Sequence, residues 1–409
     1  MDVLICSTSG KPIYHFSTRA SAHVQGDGGS SDGSSSASFT SSIQGLVSFV
    51  TCVQQDALEL IETAEHTCIF HAEENLTFAM ICAKRLLKLL YAQLLFVLSE
   101  RGLDILRRQP SYDLRELLGG TERVMDALVE SWRVEATTRF QHMGVRYLRL
   151  PSTLRAEMTR ALAYEPEESS SLLCGLLLSR KRVLVIAQPN RKQFSLVAED
   201  LLLLVNFVYN TPSLANSETW TPVCLPHFNA TGFLYAYVVF LNEDMCLLLL
   251  SSQQSPEQFH VFQAKKRYIA SRLADVGAYE AVRRSHDAEN QWRPHGDFPL
   301  LHHFVFKHES TGECASAATD FPVDAKDPRV QQILLDHYAD LYHQMFPRHL
   351  QPQNHVLGKR LTMLQDSVAA RFIHRPSILV DRLRRDEELI TANFFVTSFN
   401  AATALSMWP

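Results

Sequence analysis

Two apolar runs at residues 233–241 and 245–250 form the clearest hydrophobic pattern in the chain, and a polar corner at residues 242–244 joins them. The first run is rich in aromatic and β-branched residues, and the second is apolar throughout. Together they predict a β-hairpin whose second strand is buried on both faces. The prolines and the glycine of residues 220–232 predict a rigid, turn-rich approach to this hairpin and argue against a helix there.

The first part of the chain repeats an order of strand, strand and helix. We predict strands at residues 3–6, 12–16, 67–71 and 76–82, and helices at residues 43–59 and 85–107. A Gly/Ser/Asp-rich tract at residues 20–40 is predicted to be a flexible insertion, because it cannot bury enough apolar surface to become ordered. This order predicts an antiparallel sheet with helices packed on it, which is an α+β fold.

The same order begins twice more. A helical connector is predicted up to about residue 163, and a boundary follows at residues 166–171. The second start has strands at residues 172–178 and 183–188, a helix at 196–209, the hairpin, and a helix at 256–285. The third start has strands at residues 302–307 and 314–318 and a helix at 327–346, after which the pattern offers only short strands at 372–373 and 393–396 and a charged helix at 379–390.

The predicted helix at residues 43–59 has two different faces. Ser42 can cap its N-terminus. Ile43, Leu46, Val50 and Val53 recur on one stripe, which is predicted to face the sheet. The other face shows Gln44, Ser48, Thr51 and Gln55.

Composition narrows the class of protein. With 409 residues, of which 46% are hydrophobic and 20% charged, the chain is long enough for two to three domains. A net charge of −5 gives no electrostatic reason to expect a nucleic acid partner. The eight cysteines include no C-x-x-C pair, which favours free thiols in a reducing compartment. No apolar run has the length of a signal peptide or a membrane span, so we expect a cytoplasmic protein.

Candidate catalytic and metal-binding motifs are weak. Cys224 and His227 form a C-x-x-H pair with no second pair nearby to complete a metal site. There is no G-x-S-x-G motif, and Gly358 and Lys359 are followed by Arg360 where a P-loop has Ser or Thr. We therefore predict no catalytic residue, no metal and no cofactor. A hydrolase that uses Cys224 and His227 is kept as a functional alternative, ranked third after the two given below.

Basic residues cluster in the predicted helix at residues 256–285. A solvated face is the ordinary interpretation of such a cluster, and the functional alternative is contact with the anionic headgroups of a membrane. The candidates for lipid contact are Lys265, Lys266, Arg267, Arg283 and Arg284.

Several motifs in the same order resemble one known family. The run WTPVCLPHFNATGFLYAYVVFL at residues 220–241 resembles the signature of the Mon/SAND family, whose members are the Mon subunit of the Mon–Ccz complex. Residues 9–14, 46–49, 112–115 and 121–123 are also similar to that family. The resemblance spans residues 1 to about 346 and is more specific than any single motif.

The resemblance implies a fold of three longin domains. We expect a first longin domain at residues 1–110, a helical connector at 111–170, and a second longin domain at 171–290. The third, at residues 299–409, is expected to be divergent or truncated after about residue 351. Since the first predicted strand begins at Val3, regulation through the polar N-terminal extension usual in the family is not carried over.

The resemblance also implies a function without covalent chemistry. Together with a Ccz subunit, family members form a guanine-nucleotide exchange factor that activates a late-endosomal or vacuolar Rab GTPase in endosome maturation and vacuole or lysosome fusion. The exchange surface lies on the first longin domains, and the expected GTPase-binding residues are therefore Gln44, Val47, Ser48, Thr51 and Gln55. Peripheral recruitment to the anionic late-endosomal membrane is expected. The alternative is a non-catalytic longin adaptor or tethering module in vesicle traffic.

Overall fold

The structure is a computed structural model, and its contacts divide the chain into two units. Unit 1 comprises Met1–Glu130 and Pro222–Leu234, and unit 2 comprises Ser131–Thr221 and Tyr235–Pro409. The residues that the structure describes are 2–17, 32–55, 57–58, 60–62, 67–73, 76–80, 84–109, 112–134, 145–164, 171–189, 194–291, 304–308, 313–316, 362–363 and 392–396.

The sheet of unit 1 has five antiparallel strands in the order β2-β1-β5-β4-β3. The four predicted strands are confirmed, and β3 is an additional strand that the sequence pattern did not predict. Val3 of the central strand lies opposite Phe16 on one side and Met80 on the other. The strands are β1 (Asp2–Ser7), β2 (Pro12–Ser17), β3 (Leu60–Glu62), β4 (Thr67–Glu73) and β5 (Leu76–Met80).

Helix α1 (Asp32–Phe49) begins ten residues before the predicted cap. Two predictions are therefore wrong: the tract at residues 20–40 is helical from Asp32, and Ser42 lies inside the helix. Once packing has fixed the segment around Ile43, each further residue toward the N-terminus adds one hydrogen bond at little cost, so a Ser- and Ala-containing stretch can extend the helix. The helix continues as a π-helical turn (Val50–Gln54), and Gln55 ends it with a left-handed φ of 52°.

Helix α2 (Lys84–Arg108) packs on β4 and β5. A short 3₁₀ turn (Leu114–Glu116) and helix α3 (Glu122–Val134) follow it. The Tyr14 hydroxyl on β2 donates a 2.7 Å hydrogen bond to the Asp126 carboxylate on α3, and burial of the hydroxyl raises the pKa of Tyr14. This bond fixes α3 to the edge strand β2, so the start of the predicted connector belongs to unit 1.

The second sheet, most of which belongs to unit 2, has the order β8-β7-β11-β10-β9. The opening hairpin is confirmed, and every residue of its second strand is buried, as is every residue of β7. Helices cover the sheet: α4 (Ser152–Ala163) packs on β8 and α7 (Pro256–Asp275) packs on β11. The strands are β7 (Leu172–Ser179), β8 (Arg182–Ala187), β9 (Thr219–Leu225), β10 (Ala230–Phe240) and β11 (Met245–Ser251).

Two predicted features around this sheet are corrected. The approach to the hairpin is itself regular, because β9 is an edge strand and a short helix α6 (Pro226–Asn229) follows it. Helix α5 (Ala198–Asn210) agrees with its prediction. The predicted helix at residues 256–285 is two helices, α7 and α8 (Ala278–Gln291), which are separated at Gly277, whose φ is +66°.

A third sheet has the order β14-β15-β12-β13-β6. Two of its pairings are parallel, β13 with β6 and β14 with β15, so the prediction of a purely antiparallel third sheet is wrong. The predicted strand at residues 393–396 is confirmed as β15, which pairs with β12. Predicted elements at residues 327–346, 372–373 and 379–390 lie outside the described residues. The strands are β6 (Val145–Arg146), β12 (Phe304–His308), β13 (Glu313–Ser316), β14 (Thr362–Met363) and β15 (Ala392–Val396).

None of the helices in the described part of the chain combines the length and the apolar character that a membrane crossing requires.

Candidate functional site

Three large apolar side chains point outward from α1 and its π-helical turn. Leu46 is 49% exposed, Phe49 is 55% exposed and Val53 is 65% exposed. Their spacing of three and four residues places them on one side of the helix. We call Leu46, Phe49 and Val53 the apolar stripe.

The apolar stripe corrects the predicted orientation of this helix. Ile43 is buried as expected, and Val47, which was assigned to the partner face, packs with it on a small core made by Leu4 and Phe70. Leu46 and Val53 were predicted to be buried. Because apolar residues cover more than half of the circumference, the sequence fits two orientations equally well, and packing on the sheet selects the one with Val47 inward.

The five predicted partner residues differ in how exposed they are. Ser48, Thr51 and Gln55 are exposed, Gln44 is partly buried, and Val47 packs on the core. The Gln44 side chain lies against the β1–β2 turn, where it is the side chain nearest to Gly10, and its amide nitrogen lies 3.4 Å from the Ser48 hydroxyl. The exposed hydroxyl and amide groups therefore flank the apolar stripe, whereas the stripe itself was not predicted as a site.

The charge of this surface suits association with another protein. Residues 41–55 include no acidic or basic side chain. Burying hydroxyl and amide groups that can find hydrogen-bond partners costs much less than burying unpaired charges. Interface centres are depleted of charge and enriched in aromatic side chains such as Phe49. An exposed apolar stripe with an uncharged rim is typical of a docking surface.

The β1–β2 turn supports the N-terminal side of this surface. Gly10 has a φ of +82°, a conformation that favours glycine. The Ser7 amide donates to the Lys11 carbonyl at 2.9 Å, and the Ser7 hydroxyl lies 2.8 Å from that of Ser9. Burial raises the pKa of the Cys6 thiol beside this turn to about 12, so the thiol is protonated and unreactive.

The predicted lipid contacts are largely engaged within the protein. Lys265 is 1% exposed, so its assignment to a membrane-facing surface is wrong. The Lys266 ammonium donates to the Glu218 carboxylate at 2.5 Å, and the same carboxylate accepts from the Tyr237 hydroxyl at 2.8 Å. The Lys266 ammonium holds the pKa of Glu218 below its usual range. This leaves Arg267, which is exposed, as the accessible base of the first group.

Arg283 and Arg284 on α8 share one carboxylate. Both guanidinium groups donate to Glu280, at 3.0 Å from each. These pairs are exposed, and exposed ion pairs hold side chains only weakly. The two arginines therefore stay accessible to an anionic surface, at reduced local charge.

Cys224 is not placed for nucleophilic chemistry. Its side chain is fully buried, and its sulfur lies 3.4 Å from the carbonyl oxygens of Asn229 and Ala230. His227 is exposed in the helical turn between them. Within the described residues no group of His, Cys, Asp and Glu side chains is arranged to hold a metal ion.

A buried histidine lies outside the candidate site and gives unit 2 a pH dependence. The imidazole Nε2 of His286 lies 2.8 Å from the Ser179 hydroxyl, and the side chain is almost fully buried. Desolvation, followed by the nearby charges of Arg182 and Arg180, lowers the pKa of His286 to about 4. The ring therefore stays neutral in the folded protein at pH values where the unfolded chain takes up a proton.

We expect the free energy of unfolding to fall as the pH drops from 6.5 toward 4, because only the unfolded state binds the proton of this histidine there. The contribution of one such group is at most about 1.4 kcal/mol per pH unit. Urea denaturation of the wild type and of His286→Gln at pH 7, 6 and 5 measures how the free energy of unfolding depends on pH. The variant should show a shallower slope, and equal slopes in both proteins would contradict this assignment.

Comparison with known proteins identifies the domains. Residues 1–128 match the family description "First Longin domain of FUZ, MON1 and HPS1", and residues 170–270 match "Second Longin domain of FUZ, MON1 and HPS1". Together these matches cover more than half of the chain. The sheets β2-β1-β5-β4-β3 and β8-β7-β11-β10-β9 therefore belong to two longin domains, and the apolar stripe lies on the first.

Several similar proteins carry the name MON1. The chain is 29% identical over 353 residues to "Vacuolar fusion protein MON1 homolog A" of Bos taurus, a match of 83% of this chain and 59% of the relative. It is 31% identical over 261 residues to "Vacuolar fusion protein MON1" of Yarrowia lipolytica (63% and 46%). It is 29% identical over 383 residues to "Vacuolar fusion protein MON1 homolog" of Arabidopsis thaliana (85% and 59%). The chain thus spans about half the length of the curated relatives it matches.

Proposed function

Because this chain belongs to the Mon1/SAND family of longin-domain proteins, we propose that it acts in vacuole fusion as one subunit of a heterodimeric guanine-nucleotide exchange factor. Its relatives are named vacuolar fusion proteins. The proposed partner subunit is Ccz, and the proposed substrate is a late-endosomal or vacuolar Rab GTPase. The third sheet is proposed to be the remnant of a third longin domain.

One observation on the described residues carries this proposal: the first longin domain exposes an uncharged apolar stripe on α1. A protein that only needed to fold would gain by covering Leu46, Phe49 and Val53, since burying such a side chain contributes about 1.5–3 kcal/mol. Leaving all three exposed fits a surface that another chain covers. We propose that the GTPase contacts this stripe in the heterodimer, with Ser48, Thr51 and Gln55 at its rim.

Such a factor works by differential binding rather than by covalent chemistry. If the heterodimer binds the nucleotide-free GTPase more tightly than the GDP-bound form, linkage requires that it weakens the binding of GDP by the same factor. GDP then leaves, and GTP, the more abundant nucleotide, enters. A shaped apolar surface that holds a switch segment away from the phosphates is sufficient, and no acid, base or metal of this chain takes part.

Recruitment to a membrane is proposed to be peripheral. The exposed bases Arg267, Arg283 and Arg284 are the proposed contacts with anionic headgroups on late-endosomal or vacuolar membranes. Each base close to such a surface contributes about 1 kcal/mol. Since Glu280 neutralises part of this charge, we expect these residues to assist binding that other parts of the complex provide.

Binding measurements separate an exchange factor from a longin adaptor. The chain should co-purify with a second longin-rich chain, and the pair should bind the GTPase most tightly when nucleotide and Mg²⁺ have been removed. Affinity can be measured for the nucleotide-free, GDP-bound and GTP-bound forms under one salt condition. An adaptor would bind the GTP-bound form without preferring the nucleotide-free one, and that pattern would contradict the proposal.

A further inference from the structure

Helix α2 contains one residue whose backbone is not helical. Ser99 has a φ of 58° and a ψ of 167°, in a region that is essentially restricted to glycine. Ser99 is almost fully buried, and the residues on both sides of it are helical. A residue with a side chain keeps such a conformation only where the surrounding contacts determine it. The helix is therefore bent at a strained position.

Local contacts hold this bend. The Ser99 hydroxyl accepts a hydrogen bond from the Gly102 amide at 3.4 Å, in the manner of an N-terminal helix cap. A Cβ atom on Gly102 would lie 3.3 Å from the Cβ atom of Leu98, so glycine is the residue that allows this approach. Beyond the bend, Leu103 and Leu106 are buried. The cap and this packing offset the strain.

A second arrangement of α2 is available to the same sequence. Neither flanking segment contains proline, so nothing in the covalent structure prevents a continuous helix. If Ser99 became helical, the strain would disappear and its backbone would join the regular hydrogen-bond ladder, whereas the cap and the present packing of Leu103 and Leu106 would be given up. The bent form is therefore the main one, and the continuous helix is the minor one.

We propose that Ser99 is a hinge at which α2 exchanges between the bent form and a continuous helix, moving the segment from Glu100 to Arg108 as a unit. That segment leads directly into the connector, whose helix α3 is bound to β2 through Asp126 and Tyr14. The hinge is a conformational device of unit 1, and it does not depend on the proposed exchange activity.

The distance between Lys88 and Arg108 reports the state of the helix. Both side chains are exposed, and spin labels can be attached there through a genetically encoded keto amino acid without touching the cysteines. A straight helix separates the two Cα atoms by about 30 Å, and the bent form by less. Pulsed electron paramagnetic resonance of the full chain should show a main short distance and a minor long one.

Two substitutions should move these populations in opposite directions. Ser99→Gly removes the strain of a side chain in this backbone region and costs little as a cap, because glycine is nearly as good there as serine. It should therefore lower the long-to-short ratio by about tenfold. Ser99→Ala removes the cap and keeps the strain, so it should raise the ratio by about fivefold. Arg101→Gly is the matched control, because it adds glycine flexibility at a helical position and should leave the ratio unchanged.

Equal distance distributions in the wild type, Ser99→Gly and Ser99→Ala would overturn the hinge, because the bend would then be fixed by packing alone. If Ser99→Ala does not fold, the wild type and Ser99→Gly decide. A long component that the glycine removes supports the hinge, and a wild type with the short distance only overturns it.

Discussion

Replacing Phe49 with aspartate is expected to slow the release of nucleotide from the GTPase, as stimulated by the heterodimer with Ccz, about a hundredfold. Effects of this size are seen at the centre of protein interfaces. Phe49 is the aromatic member of the apolar stripe and is more than half exposed in this chain. In the proposed complex the GTPase covers it, so Phe49→Asp would bury an unpaired charge in addition to losing the aromatic contact. The loss should appear in kcat/KM of exchange, measured with a fluorescent nucleotide.

The stability of the chain should hardly change, because Phe49 makes little contact with the core. We expect the urea midpoint of Phe49→Asp to correspond to a change within about 0.5 kcal/mol of the wild type. Leu117→Asp is the matched control, since it introduces the same charge at another large apolar side chain that is 46% exposed and lies outside the stripe. An equal loss of exchange in both variants would contradict the role of the stripe.

Replacing Phe262 with alanine should lower the free energy of unfolding by about 3–5 kcal/mol, more than any other substitution proposed for this chain. Phe262 is fully buried on α7. Its ring centroid lies 5.7 Å from that of Trp220 and 6.2 Å from that of Tyr237, both at edge-to-face angles. Truncation removes these aromatic contacts and leaves a cavity between α7 and the sheet that the surrounding strands can fill only partly.

Urea denaturation measures this loss through the midpoint, with the slope of the transition checked against the wild type. Phe233→Ala is the control, because it deletes the same ring from a position that is 38% exposed and should cost well under half as much. Similar losses in the two variants would mean that the aromatic cluster does not stabilise the second longin domain as described.

Strands that are buried on both faces could be predicted from the sequence, whereas the roles of the prolines could not. The leucine-rich strands β7 and β11 have no polar face, so only a position buried on both faces of the sheet removes their side chains from water. Pro222 and Pro226 predict an irregular segment, yet each lies at a position of a strand or helix where proline is tolerated. Pro222 lies on the edge strand β9, and Pro226 is the first residue of α6. Such exceptions depend on which strand is the edge, which is a property of the tertiary fold.

The sequence predicts the helix around Ile43 but not which of its apolar side chains are exposed. Apolar residues surround much of α1, and its π-helical turn further shifts the direction of Val53, so only packing decides which of them are exposed. Lys265 is a different case, because its burial could be predicted from the sequence. It lies at helical spacing from Phe262 and Ile269, both fully buried, and that spacing outweighs its membership in a basic run.

We propose that this chain and a Ccz subunit form an exchange factor whose working surface is the apolar stripe. The direct measurement is the release of a fluorescent GDP analogue from the late-endosomal Rab, with this chain alone, with Ccz alone, and with both. We predict acceleration only with both chains, and its loss with Phe49→Asp but not with Leu117→Asp. Release at the intrinsic rate in the presence of the complete heterodimer would contradict the account.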